Sequence, residues 1–184
     1  LKEWEFDPLG TNVREIMIGD RSVLQMRVDM GLLQLETVGR PDGSRPEDHE
    51  TYLDYLRTLS ARDPEMALDE DQCVEVDREF VQFYHRRICW LKLQEYRQAV
   101  ADADHTLGLM DFCVKHSPDE NWTISHEQYR PFVLFHRIQA SALAELEDSG
   151  PEAAVHQLNM GLKRLQLLFR DHDAEEQYEE DELV

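Results

Sequence analysis

The chain has 184 residues, 41% of them apolar, and sets 19 Lys and Arg against 39 Asp and Glu for a formal net charge of −20. That length and apolar share suit one domain with its own core and exclude bulk disorder. The charge disfavours direct contact with nucleic-acid phosphates or anionic lipid, so neither nucleic acid nor membrane is expected as a partner.

No apolar run approaches the ~20 residues of a membrane span, and no signal peptide precedes the first charges. Cys73, Cys89 and Cys113 form no CxxC and lie on apolar stripes, as buried thiols of a reducing cytoplasm would.

Residues 1–43 read as an N-terminal β-meander module. Leu24, Met26, Val28, Met30 and Leu32 alternate with Gln25, Arg27, Asp29 and Gly31, a period of two that predicts a half-buried strand. Gly19-Asp20 separates it from Val13–Ile18 as a hairpin turn. At Gly31-Leu32-Leu33 the phase slips, and a bulge or second turn lets Leu33 and Leu35 continue the sheet. A helix through Leu24, Val28, Leu32 and Leu35 is the competing reading. Gly39-Arg40-Pro41-Asp42-Gly43 closes the module with turn residues.

Residues 44–170 read as five helices. Ser44 to Glu47 has the form of a capping box, followed by a stripe of Tyr52, Leu53, Leu56 and Leu59 that stops before Asp63-Pro64. Asp69 and Gln72 cap the second helix, whose face carries Cys73, Val76, Phe80, Phe83, Tyr84, Ile88 and Leu91. The third shows Ala99, Ala103, Leu107 and Val114. A polar loop then leads to a fourth helix, capped by Ser125 and Gln128, with Pro131 marking a kink or its true start. Ser149-Gly150-Pro151 separates it from a fifth helix bearing Ala154, Val155, Leu158, Leu162, Leu165 and Phe169. Residues 171–184 hold eight acids and no Lys or Arg, an acidic C-terminal tail.

Helices two and three pair in a recognisable way. Phe83, Trp90, Tyr96, Ala99 and Thr106 occupy the two aromatic, turn-Tyr and two small positions of a tetratricopeptide repeat, which the pair resembles. A small residue at Ala99 lets the helices approach, and Trp90 and Tyr96 fill the wedge at the turn. Arg86, Arg87 and Ala103 depart from the pattern, standing where Leu, Gly and an aromatic are usual. A weaker copy places Ala154 and Gly161 in the roles of Ala99 and Thr106, with the segment around Lys115–Ser125 inserted between the copies. An ordinary antiparallel bundle with alanines at its contacts fits the same residues.

The runs LQMRVDMGLLQLETVGRPDG, CVEVDREFVQFYHRR, DADHTLGLMDF and EQYRPFVLFHR resemble bacterial proteins that carry a UvrB/UvrC (UVR) motif. In those proteins a short N-terminal module and a tetratricopeptide-like region precede the motif. No such motif stands after Phe169 in this sequence. The resemblance implies an interaction role and assigns no catalytic residue.

No HExxH, GxSxG, phosphate loop or GxGxxG is present, and none of the eight histidines lies within nine residues of another. Asp102 and Asp104, two apart on a helix, face different directions. The expectation is a non-enzymatic tetratricopeptide-like scaffold with no metal or cofactor, binding a protein or peptide. Val81, Tyr84, Arg87, Ile88, Leu91 and Lys92 would line the groove of the second helix, with Arg130 and Arg137 adding charge if they converge with the Arg86-Arg87 pair. The alternatives are an acidic mimic that occupies a nucleic-acid-binding partner, and an enzyme built from distant carboxylates.

Overall fold

The computed structural model describes residues 4–171. The predicted acidic tail lies, apart from Asp171, outside the described residues. Three antiparallel strands in the order β1-β2-β3 (Asn12–Ile18, Arg21–Val28, Gly31–Glu36) are followed by six helices: α1 Tyr52–Arg62, α2 Glu70–Leu93, α3 Tyr96–His116, α4 Glu120–Glu127, α5 Arg130–Asp148 and α6 Pro151–Asp171. The architecture is mainly helical with a small N-terminal meander, as the change of hydrophobic period implies.

Ile18 pairs with Arg21 across Gly19-Asp20, and Val28 with Gly31 across Asp29-Met30, so the phase slip is a second turn and the helical reading of this segment falls. Leu24 and Met26 of the central strand face Leu35, and this sheet face packs on Cys89, Trp90, Ala99 and Ala140. Gln25 on the opposite face is also buried; Arg14 covers it, donating to Gln25 Oε1 at 2.7 and 3.0 Å. Met30 is 92% exposed because it sits in the turn rather than in the strand.

The helix starts separate into one confirmed cap and two corrected ones. Asp69 and Gln72 form the reciprocal capping box of α2. Ser44 to Glu47 does not cap α1: Pro46–Asp48 is a 3₁₀ turn with no side-chain cap, and Thr51 caps α1 by accepting from the Asp54 amide. The stretch after Ser117 is not simply a polar loop. Asp119 accepts from the Trp122 amide at 3.0 Å and starts α4, so Ser125 lies inside a helix and Gln128 follows its last residue. Pro131 falls in the first turn of α5, where its missing N–H costs nothing. On α3 the buried face runs through Ala99, Ala103, Thr106, Met110 and Cys113, while Val114 is 55% exposed.

Trp90 and Ala99 are buried at the α2–α3 contact. At α5–α6 the approach is closer still: a Cβ added to Gly161 would lie 2.4 Å from Ile138 Cγ2. All three cysteines are buried and free, and burial pushes the Cys89 and Cys113 thiols up to about 12.

Buried guanidiniums join the helices to the sheet. Arg86 binds Asp102 of α3 through Nε (2.9 Å to Oδ2) and Nη2 (2.7 Å to Oδ1), and its Nη1 donates to the carbonyls of Glu36 and Gly39. Arg40 reaches Glu75 at 2.7 Å and Glu79 at 3.4 Å, and the fully buried Glu79 accepts from the Tyr52 and Leu53 amides at the start of α1.

Two stability outcomes follow from this packing. Gly161→Val should cost about 1–3 kcal/mol, read as a lowered denaturation midpoint, because even the added Cβ overlaps the buried Ile138 side chain and forces it to shift. Arg86→Met alone should cost roughly 3–5 kcal/mol by stranding buried Asp102, and Arg86→Met with Asp102→Leu should regain much of that loss in a double-mutant cycle.

Candidate functional site

Along α2, residues 77, 80, 81, 84 and 87 recur at helical spacing and form one continuous face. Towards its C-terminus Ile88, Leu91 and Leu93 are half-buried against the cluster of Leu24, Met26, Leu35, Trp90, Ala99 and Ala140. The rest faces a cavity of about 650 Å³. Asp77, Phe80, Val81, Tyr84 and Arg87 form the α2 wall, Thr106 and Met110 of α3 lie beneath, and Ser125 and His126 of α4 with Tyr129, Phe132 and Val133 close the far side. The volume is that of a small-molecule or side-chain pocket, typically about 300–1,000 Å³.

Two local contacts build the far wall. His126 of α4 bonds Asp77 Oδ1 through Nε2 at 2.8 Å and stacks on Phe80 with ring centroids 4.5 Å apart. Phe132 lies 6.4 Å from the Tyr84 ring and 4.2 Å from His136. At the mouth Val81 is 55% exposed, Tyr84 40%, Tyr129 58% and Phe132 38%.

Arg87 is only 1% exposed. Its Nε donates to His136 Nδ1 at 3.3 Å and its Nη1 to Thr106 Oγ1 at 3.0 Å, and the guanidinium lies 5.9 Å from the Tyr84 ring. Among the described residues it forms no ion pair. The nearest carboxylate influence, Asp102, is already engaged by Arg86. Burial therefore lowers the Arg87 pKa to about 10, with Asp102 and Tyr84 opposing. His136 must accept at Nδ1, which requires a neutral ring; burial first, and the Arg87 charge second, push its pKa down to about 4.

The structure thus brings Val81, Tyr84 and Arg87 of the predicted groove together at one cavity. Ile88 and Leu91 lie outside the cavity lining, half-buried against the cluster that joins the sheet to α2, α3 and α5, and Lys92 is exposed outside it too. The predicted convergence of Arg130 and Arg137 with Arg86-Arg87 does not occur. Arg130 pairs with Glu127 and Asp111, and Arg137 with Asp104. Each finds an acidic neighbour nearer than any shared focus. Sequence reasoning missed Phe132, Tyr129, His126 and the Thr106–Met110 floor because they come from three other segments.

Among the described residues no helix is long and apolar enough to cross a membrane, and no group of three His, Cys, Asp or Glu side chains is arranged to hold a metal. Comparison with family models, curated proteins and solved structures finds no match.

The neutral state of His136 gives a pH signature. Its folded pKa lies below the ordinary value, so the unfolded chain binds the extra proton and stability falls as pH drops from about 6.5 through about 4. His136→Asn keeps an acceptor for Arg87 but cannot titrate, so urea titrations from pH 7 to pH 4 should show a shallower loss of stability than in the parent.

Proposed function

We propose that this chain is a non-enzymatic protein-interaction scaffold of tetratricopeptide-like architecture, and that a protein or peptide partner docks over the mouth between α2, α4 and α5. One observation carries the reading. In a chain of net charge −20, Val81, Tyr84, Tyr129 and Phe132 leave a contiguous, partly exposed apolar rim around a 650 Å³ cavity. Such a patch with a polar surround is the ordinary mark of an interface. Aromatic side chains supply much area at little entropic cost, and Tyr is enriched among residues that dominate binding. The resemblance to UVR-motif proteins supports the same role. Ile88 and Leu91 are half-buried in the core cluster, which leaves the cavity-lining residues Val81 and Tyr84 of α2 to the partner.

The test is a photo-crosslinking residue placed at Val81, with a control at Met30 on the far turn of the sheet. A discrete adduct with one protein should form from Val81 and not from Met30. Tyr84→Ala should lower the yield roughly tenfold, about 1.4 kcal/mol, while costing about 1 kcal/mol of stability, well short of the roughly 3–5 kcal/mol of a fully buried aromatic. A large loss of stability with crosslinking unchanged would return Tyr84 to a purely structural role.

A further inference from the structure

Arg87 poses a question that a docking surface does not answer. In a chain with twice as many acids as bases, the guanidinium beneath the cavity is 1% exposed and forms no ion pair among the described residues. Burying a charge without a counter-charge is costly, and folds normally supply the partner. Here the alternatives are used up. Asp102 takes two nitrogens of Arg86, and Glu79 takes Arg40 and His105. Arg87 has only a neutral imidazole and a hydroxyl, which occupy Nε and one hydrogen of Nη1.

We infer that the cavity is a binding site for an apolar monocarboxylate, whose carboxylate pairs with Arg87 while its hydrocarbon or aromatic body lies between α2 and α5. The walls define the body: Phe80, Val81, Tyr84, Met110, Phe132 and Val133 surround it. The floor defines the head group, because a planar carboxylate matches the fork of a guanidinium and its cost of burial is offset by a cation already desolvated. The charge count is one. His136 accepts from Arg87 and is neutral, so no second cation waits there. At the other end of the α2 wall Asp77 holds His126 and would repel a second carboxylate. A dicarboxylate or a phosphate therefore fits worse than a simple acid.

This inference concerns the cavity and goes beyond the partner surface over its mouth; the two are tested by separate readouts. Isothermal titration of the full chain with decanoate, decanol and decanedioate measures it. Decanoate should bind with one site per chain and at least roughly tenfold more tightly than decanol or decanedioate, the scale of one charge-assisted contact. Arg87→Met should abolish the preference for decanoate over decanol while the melting temperature stays level or rises, because an unpaired buried charge has been replaced by an apolar side chain. Val81→Trp, at a half-exposed position the fold does not need, should weaken both ligands by obstructing the mouth.

Equal binding of acid and alcohol to the parent chain, no binding of either, or an acid preference that survives Arg87→Met would each overturn the inference. If Arg87→Met does not fold, the parent ligand pair and Val81→Trp decide: unchanged decanoate binding in Val81→Trp places the ligand elsewhere and overturns it. A crosslinked partner at Val81 without decanoate binding removes this inference alone. Decanoate binding without a crosslinked partner removes the scaffold reading alone.

Discussion

The seating of the sheet and its following loop on the α2–α3 pair depends on Arg86. One guanidinium holds Asp102 of α3 on one side and the carbonyls of Glu36 and Gly39 on the other, so the loop leaving the sheet is pinned to the α2–α3 pair. The same loop carries Arg40, which reaches back to Glu75 and Glu79 of α2. Glu79 in turn caps the first amides of α1, where a carboxylate meets the positive end of the helix dipole. Helix α1, the loop and the sheet are thereby registered on α2 by two arginines and one glutamate. Gly39 and Gly43, with φ of 69° and 77°, allow the loop to turn tightly enough for both arginines to reach.

Charge is distributed in opposite senses inside and outside. The surface carries the acidic surplus of a −20 chain, whereas Arg40, Arg86 and Arg87 are buried with only Glu79 and Asp102 as buried carboxylates. Among the described residues Arg40 and Arg86 have carboxylate partners and Arg87 has none, while the exterior repels negative charge. An anion entering such a molecule is filtered twice. The acidic exterior opposes polyanions at long range, screened beyond about 8–10 Å in salt, and the apolar walls oppose any anion without a hydrocarbon body. Selectivity of this kind needs only one well-placed guanidinium and no recognition loop.

What was legible in the sequence was local. The period-two run, Gly19-Asp20 and the Asp69–Gln72 box each act within a few residues, and each appears where the pattern puts it. The α2 wall was legible for the same reason, since Val81, Tyr84 and Arg87 share one helical face. The misreadings occur where a local signal had a competitor. Ser44 and Glu47 match a capping box, but Glu47 and Asp48 adopt positive φ and the chain turns away, leaving Thr51 to start α1. Asp119 was hidden in a polar stretch, so α4 and its half of the cavity were not foreseen. Arg86 and Arg87 stood out only as departures from a repeat pattern. Their meaning required Asp102, sixteen residues away, and His136, forty-nine residues away. No period in one sequence encodes such pairings.

The cavity's walls also differ in how firmly they are held. Helices α2, α3 and α5 are anchored by core residues at less than a tenth exposure along their length. Helix α4 buries none of its eight residues fully; His126 holds it to α2 by stacking on Phe80 and bonding half-exposed Asp77. Local opening is least costly where few apolar contacts and exposed hydrogen bonds hold an element. Of the far side, α4 has the fewest buried residues, although Trp122 packs on the Leu53–Phe112 cluster, whereas Arg87 is held by Thr106 and His136 on two core helices. The charge is fixed by two side-chain partners on core helices, while the apolar walls offer contacts without directional bonds, so discrimination by head group should be sharper than discrimination by chain.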